Sequence, residues 1–272
     1  MVRLTSKDKS AATHGSRMEG EGAGTTQAPR APSVVRAPPV PGGMQNAPDR
    51  APGLRLVGES YFPTLIFFRD LPNGPELNDA IKPAIYAWRD TEPSGIVRSN
   101  VALEGSWHSP LDMGSRPEFA ALVREVQSHA ECLFADLGYD PAFGPSLSNM
   151  WANVHPRHGY NRSHMHPNAL WSGVYYVQSP PRSGRILFGD PRAQALNLRP
   201  FYRPERPVPP LAWTEVYYEA IEGRILFFPA WLRHEVEPNL ASLEGRAGDR
   251  ISVSFNFTQH RRGGEAAGQG GA

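Results

Sequence analysis

Residues Ser163–Tyr176 read SHMHPNALWSGVYY, two histidines one residue apart running into a stretch of strand-forming side chains. A strand turns successive side chains to opposite faces, so His164 and His166 share a face and their imidazoles converge on one point. On a helix the same spacing would part the rings; zinc proteases there use positions four apart. The stretch therefore predicts β-structure that carries a same-face histidine pair.

The sequence around it agrees. From Ser146 to Gln259 the chain is a succession of short β-rich runs, SNMWANV, LWSGVYYV, GRILFG, LAWTEVYYE, GRILFFPAWL and RISVSFNF, most of them separated by Gly, Pro, Asn or Asp. No long helical period interrupts them, which predicts a mainly β architecture, an antiparallel barrel or jelly roll. PTLIFFRDL (Pro63 to Leu71) reads as a first strand and PELNDAIKPAIYAWRD as a helix that Pro83 could interrupt. Ser115 to Gly138 reads as a second helix: Ser115 as N-cap, Pro117 in the first turn, Phe119, Leu122, Val123, Val126 and Leu133 as its stripe, Gly138 at its end. Both helices are expected to pack outside the barrel. LRPFYRPERPVPP (Leu198 to Pro210) is too rich in proline for a central strand and is expected to be a rim loop, a lid or a plain connector.

Of the 272 residues, 1–54 are rich in Ala, Pro, Gly, Ser and Thr and read as a disordered tail, as do 263–272. Residues 55–262 are left as a single domain with its barrel core at about 146–259, ample for a real hydrophobic core. A start at Met44 is the alternative to a genuine tail. The tail's seven Lys/Arg against four Asp/Glu give a slight basic excess, but no amphipathic stripe of a targeting peptide. The overall charge of +1 gives no electrostatic footprint for nucleic acid or an anionic membrane. A single cysteine, Cys132, excludes an intramolecular disulfide, and a cytoplasmic location is expected. The expected partner is a small-molecule or peptide substrate.

A metal on His164 and His166 needs a third ligand. The best candidate is His234 in FFPAWLRHEVEPN, after an apolar strand and a turn. Two ligands from one strand and a third from a later one leave open positions opposite, the arrangement of non-haem iron oxygenases with their facial triad. His155, His158 and His260 read as surface or satisfied core residues. In the final strand, DRISVSFNF, Ile251, Val253, Phe255 and Phe257 fall on one face and Arg250, Ser252, Ser254 and Asn256 on the other. If that polar face lines a cavity, Arg250 demands an anion, and a guanidinium fork beside the Ser252 hydroxyl suits a carboxylate.

His164, His166, His234, Arg250 and Ser252, in this order on strands of this kind, resemble the 2-oxoglutarate/Fe(II)-dependent dioxygenases. HMHPNALWSGVYYV, SGRILFGDPR, GRILFFPAWLRHEVEPN and RISVSFN are similar more narrowly to a bacterial and phage group of these oxygenases with a His-x-His-Pro motif, over roughly Ser148 to Thr258. The resemblance implies a double-stranded β-helix, the cupin-like jelly roll. It implies Fe(II) on His164, His166 and His234, and 2-oxoglutarate on Arg250 helped by Ser252. Tyr176 and Asn153 match positions that contact the cosubstrate in relatives. It implies hydroxylation of a substrate with O2, releasing succinate and carbon dioxide. Most of the superfamily has a carboxylate where this chain has His166, and Asp190 in FGDPR is the alternative source of one. Two other functions share the fold: a three-histidine cupin-like dioxygenase without 2-oxoglutarate, and a non-enzymatic binding module. Trp171, Trp213, Trp231 and Tyr202 could line a pocket, although aromatic side chains in barrel strands usually belong to a core.

Overall fold

Two antiparallel sheets make the β-structure of the computed structural model, which describes residues 59–96, 100–101 and 105–263. The expected tails lie outside these residues apart from Gly263. The strands are β1 (Phe67–Asp70), β2 (Asn100–Val101), β3 (Trp107–His108), β4 (Phe143–His155), β5 (Tyr160–His164), β6 (Trp171–Gln178), β7 (Arg185–Gly189), β8 (Glu215–Glu219), β9 (Arg224–Pro229), β10 (His234–Val236) and β11 (Arg250–Arg261). One sheet has the order β1-β9-β6-β11-β4-β3, the other β2-β5-β10-β7-β8. This is the expected mainly β jelly roll, with helices α1 (Gly74–Thr91) and α2 (Ala120–Asp136) against its larger sheet.

Strand alternation explains how one sheet serves two environments. Ile251, Val253, Phe255 and Phe257 of β11 join Tyr175, Val177, Ile225 and Phe227 on the outer face, where they meet Ile81, Ile85, Leu122 and Val126 of the helices. Each such side chain contributes about 1.5–3 kcal/mol on burial. On the inner face, Val174, Tyr176, Leu226 and Phe228 pack against Ile186 and Phe188 of the second sheet. The rest of that inner face is polar, and it becomes the site.

Gly173 lies where β6 crosses under the outer layer. A Cβ there would stand 2.2 Å from the Phe255 ring and 2.4 Å from the Leu226 carbonyl. Gly173→Ala is therefore expected to destabilise the fold by about 3 kcal/mol, read as a lower urea midpoint; an unchanged midpoint would contradict this packing.

Both helices differ from expectation in detail. α1 runs through Pro83 without a break. Pro83 and Asp79 are exposed, so the carbonyl deprived of its helical partner faces water rather than the core. Ser115 is not an N-cap. Two 3-10 turns, Met113–Ser115 and Pro117–Phe119, precede α2, and Arg116 between them is extended, as the residue before a proline is driven to be. The Ser115 hydroxyl instead donates to the Asp112 carbonyl at 2.8 Å. Gly138 ends α2 as expected, at φ +69, with the Tyr139 amide donating to Phe134 and the Gly138 amide to Ala135. The proline-rich segment forms no strand and bridges β7 to β8.

Candidate active site

Three neighbouring strands of the larger sheet, β6, β11 and β4, present their inner-face residues in register. Asn256 pairs with Asn149 on one side and Ser172 on the other; Ser254 with Trp151 and Val174; Ser252 with Asn153 and Tyr176. These rows line a cavity of about 370 Å³, closed by Ile186, Val236, Asn161 and the histidines of the second sheet. Arg250 lies at its buried end and half-exposed Met165 at its mouth.

His164, His166 and His234 meet in this cavity, with their candidate ligand atoms within 4.8 Å of one another. Register brings two of them together, because β10 pairs with β5 so that His234 lies opposite His164. His166 does not lie on a strand. It is two residues past the end of β5, held by its backbone amide donating to the Ala230 carbonyl at 2.9 Å. The shared direction expected from alternation survives: ring centroids are 5.1 Å apart for His164 and His166, 4.3 Å for His164 and His234, and 5.1 Å for His166 and His234.

The hydrogen bonds of the three rings decide what they can bind. His164 Nδ1 meets the Arg162 carbonyl at 2.7 Å, His234 Nδ1 the Leu232 carbonyl at 2.9 Å, and His166 Nδ1 the Asn256 Oδ1 at 2.6 Å. An oxygen acceptor at Nδ1 requires the proton there, which leaves a lone pair on each Nε2. Three neutral imidazole donors on one side of a cavity fit an Fe(II) ion. Among the described residues the convergent group contains no carboxylate. Asp190 is engaged elsewhere, accepting the Arg192 amide at 2.9 Å and pairing with its guanidinium at 2.8 Å, so it closes a turn. Arg192 is thereby a surface partner of Asp190.

Arg250 is 1% exposed, and no carboxylate among the described residues pairs with it. The nearby Glu237 carboxylate is occupied by Arg185 at 2.6 Å. Arg250 Nη1 donates to the carbonyls of Ser183 and Glu237, and Nη2 to that of Gly159 at 3.4 Å. Those bonds use three of the five N–H groups of a guanidinium and bring no negative charge. Burial lowers its pKa only to about 10, so the cation persists at neutral pH. Ser252, Tyr176 and Asn153 line the same cavity, and Asn153 Nδ2 donates to Ser254 Oγ at 3.2 Å. Burial, partly offset by Arg250, raises the Tyr176 phenol above its ordinary range and keeps it neutral.

Several participants were not legible as such. Trp151 lines the cavity, stacked on His108 at 5.4 Å and tilted against His166 at 5.5 Å, whereas Trp171 belongs to the outer core and Trp213, Trp231 and Tyr202 are exposed. The alternation of SNMWANV carries the signal, since it places Asn149, Trp151 and Asn153 on one face. His158 and His260 are exposed, as expected. His155 is a core residue, 1% exposed and turned inward by β4 beside Arg250, with the Tyr160 backbone near its ring but no hydrogen bond of ordinary geometry to either ring nitrogen.

Burial sets the proton balance of these rings. It holds His234 down to about 3, His164 below its ordinary value, and His155 far below. Below pH 6.5 the unfolded chain takes up protons that the folded one refuses, so stability falls as pH is lowered through that window. The urea midpoint of the metal-free protein is expected to drop between pH 7 and pH 5, and to drop less in His155→Leu. A flat profile would contradict neutral buried rings.

Residues 149–256, a span that includes the three histidines and Arg250, match the family described as "Putative 2OG-Fe(II) oxygenase". None of the curated proteins matches the chain. Among solved structures, the chain is similar to the non-haem alpha-ketoglutarate dependent carbocyclase SnoK from nogalamycin biosynthesis, at 13% identity over 71% of this chain and 79% of that one, with a TM-score of 0.51. It is also similar to a Pseudomonas putida prolyl-4-hydroxylase, at 16% identity over 71% and 92%, with a TM-score of 0.47. The likeness to the carbocyclase is one of fold alone. No helix among the described residues is long and apolar enough to cross a membrane.

Proposed function

We propose that the chain is a 2-oxoglutarate/Fe(II) oxygenase that hydroxylates a substrate held at the mouth of this cavity, with release of succinate and carbon dioxide, a reading supported by the family match over residues 149–256. The cofactors are Fe(II) and 2-oxoglutarate, which when bound supply the activation of O2 and the oxidising power for the substrate C–H bond. In this reading His164, His166 and His234 hold the metal through Nε2. Arg250 receives the far carboxylate of 2-oxoglutarate, with Ser252 and the neutral Tyr176 hydroxyl as further donors and Asn153 alongside. The observation that carries the reading is the unanswered charge of Arg250 in the same cavity as the triad. A buried cation without a counter-ion costs several kcal/mol, and a dicarboxylate bound in this cavity would supply one. A cupin-like dioxygenase without 2-oxoglutarate leaves that charge unexplained, as does a binding module.

The substrate side has its own chemistry. The cavity wall also includes Leu111, Asn149, Trp151, Met165 and Pro167, none of them charged. These side chains hold an uncharged part of the substrate, with the indole excluding water from one side and the Asn149 amide orienting a polar group.

The test is anaerobic loading with Fe(II), followed by 2-oxoglutarate and air, with succinate measured. Wild type is expected to form succinate while His234→Ala and Arg250→Ala do not. Equal succinate from all three proteins would sink the proposal.

A further inference from the structure

His166 stands out among the three ligands. His164 and His234 are oriented by backbone carbonyls within two residues of themselves, whereas His166 is oriented by a side chain ninety positions away. We propose that Asn256 is the positioning residue of His166, and that the row Asn149–Asn256–Ser172 exists to present its amide oxygen to that ring. The proposal rests on the assignment of His166 to the metal and adds the device that makes it a ligand.

The geometry is that of a relay in register across three strands. Asn256 on the central strand β11 faces Asn149 of β4 and Ser172 of β6. Its Nδ2 donates to Asn149 Oδ1 at 2.6 Å, which turns Oδ1 the other way. That oxygen has two lone pairs: one takes the Ser172 hydroxyl at 2.7 Å, the other the His166 ring nitrogen Nδ1 at 2.6 Å. Because the Ser172 proton goes to Asn256, its oxygen, 3.0 Å from the same ring nitrogen, can only add a second acceptor there. Both neighbours of Nδ1 thus require the proton on it, which makes Nε2 the nitrogen that can offer a lone pair to a metal. His166 lies on the loop after β5, so its ring is placed by this side-chain row rather than by strand pairing.

Visible absorption of Co(II) titrated into the metal-free full chain tests this without turnover. Asn256→Val, which fills similar space without an acceptor, is expected to weaken Co(II) binding by about 10–100-fold and to change the ligand-field spectrum. Asn256→Asp, which keeps an oxygen facing the ring, is expected to bind Co(II) at least as tightly as wild type. Asn149→Ala leaves Asn256 in place without its anchor and is expected to weaken binding in the same direction but less, which keeps the test open should the valine variant not fold. Unchanged affinity in both Asn256→Val and Asn149→Ala overturns the proposal, as does an Asp variant as weak as the valine one. A wild-type chain that takes up no Co(II) overturns the functional reading along with it.

Discussion

His234→Ala is expected to remove metal binding at the site and, with it, all iron-dependent turnover. His234 is the ligand supplied by β10, placed opposite His164 on β5 and Phe188 on β7, so nothing else on that strand can take its place. Loss of an outer partner of a ligand typically costs about 10–100-fold in affinity, and loss of the ligand itself should exceed the upper end of that range. The substitution leaves the fold in place: the ring is held by one bond to the Leu232 carbonyl and by contacts with Phe188 and Phe228, which can close in part over a missing imidazole. Isothermal titration with Mn(II) and circular dichroism separate the two effects. A variant that binds Mn(II) as wild type does would show that the three rings are not a metal site.

Arg250→Leu is expected to weaken 2-oxoglutarate binding by about 100-fold or more, the equivalent of about 3 kcal/mol for breaking a buried charged pair. Folding stability should move less. The substitution strands the carbonyls of Ser183, Glu237 and Gly159, but it also removes a buried cation with no counter-ion, and the two effects oppose each other. Arg250→Lys keeps the charge without the fork and should fall between. Gly184 belongs to the same seat: at φ +91 it packs so closely that a Cβ would stand 2.7 Å from the Arg250 guanidinium. Equilibrium binding of 2-oxoglutarate to the Mn(II)-loaded variants checks the order wild type, lysine, leucine.

The fold was legible wherever side-chain alternation alone decides it. DRISVSFNF divides into a face under the helices and a face in the cavity, and His234 meets His164 through strand pairing, whereas His166 joins them from the loop after β5. What was not legible depends on register between distant strands. That Asn256 lies opposite Asn149 and Ser172 cannot be read from any one of these stretches, since a shift of one residue would turn each side chain to the other face. Trp151 was missed for a related reason: an indole on a strand suggests core, and only the row it shares with Ser254 puts it against His166. Local backbone effects account for the helix errors. Arg116, extended ahead of Pro117, shifts the start of α2 to Ala120, and solvent at Asp79 spares α1 a break at Pro83.

The proposed function requires one cavity to bind a cation and a dicarboxylate together. Anaerobic titration of 2-oxoglutarate into wild-type protein with and without Fe(II) tests this most directly. Saturable binding of one equivalent that requires the metal, that is lost in His234→Ala and that is weakened by about 100-fold or more in Arg250→Leu, is the predicted result. Binding that is as tight without Fe(II), or that is as tight in either variant as in wild type, would contradict it.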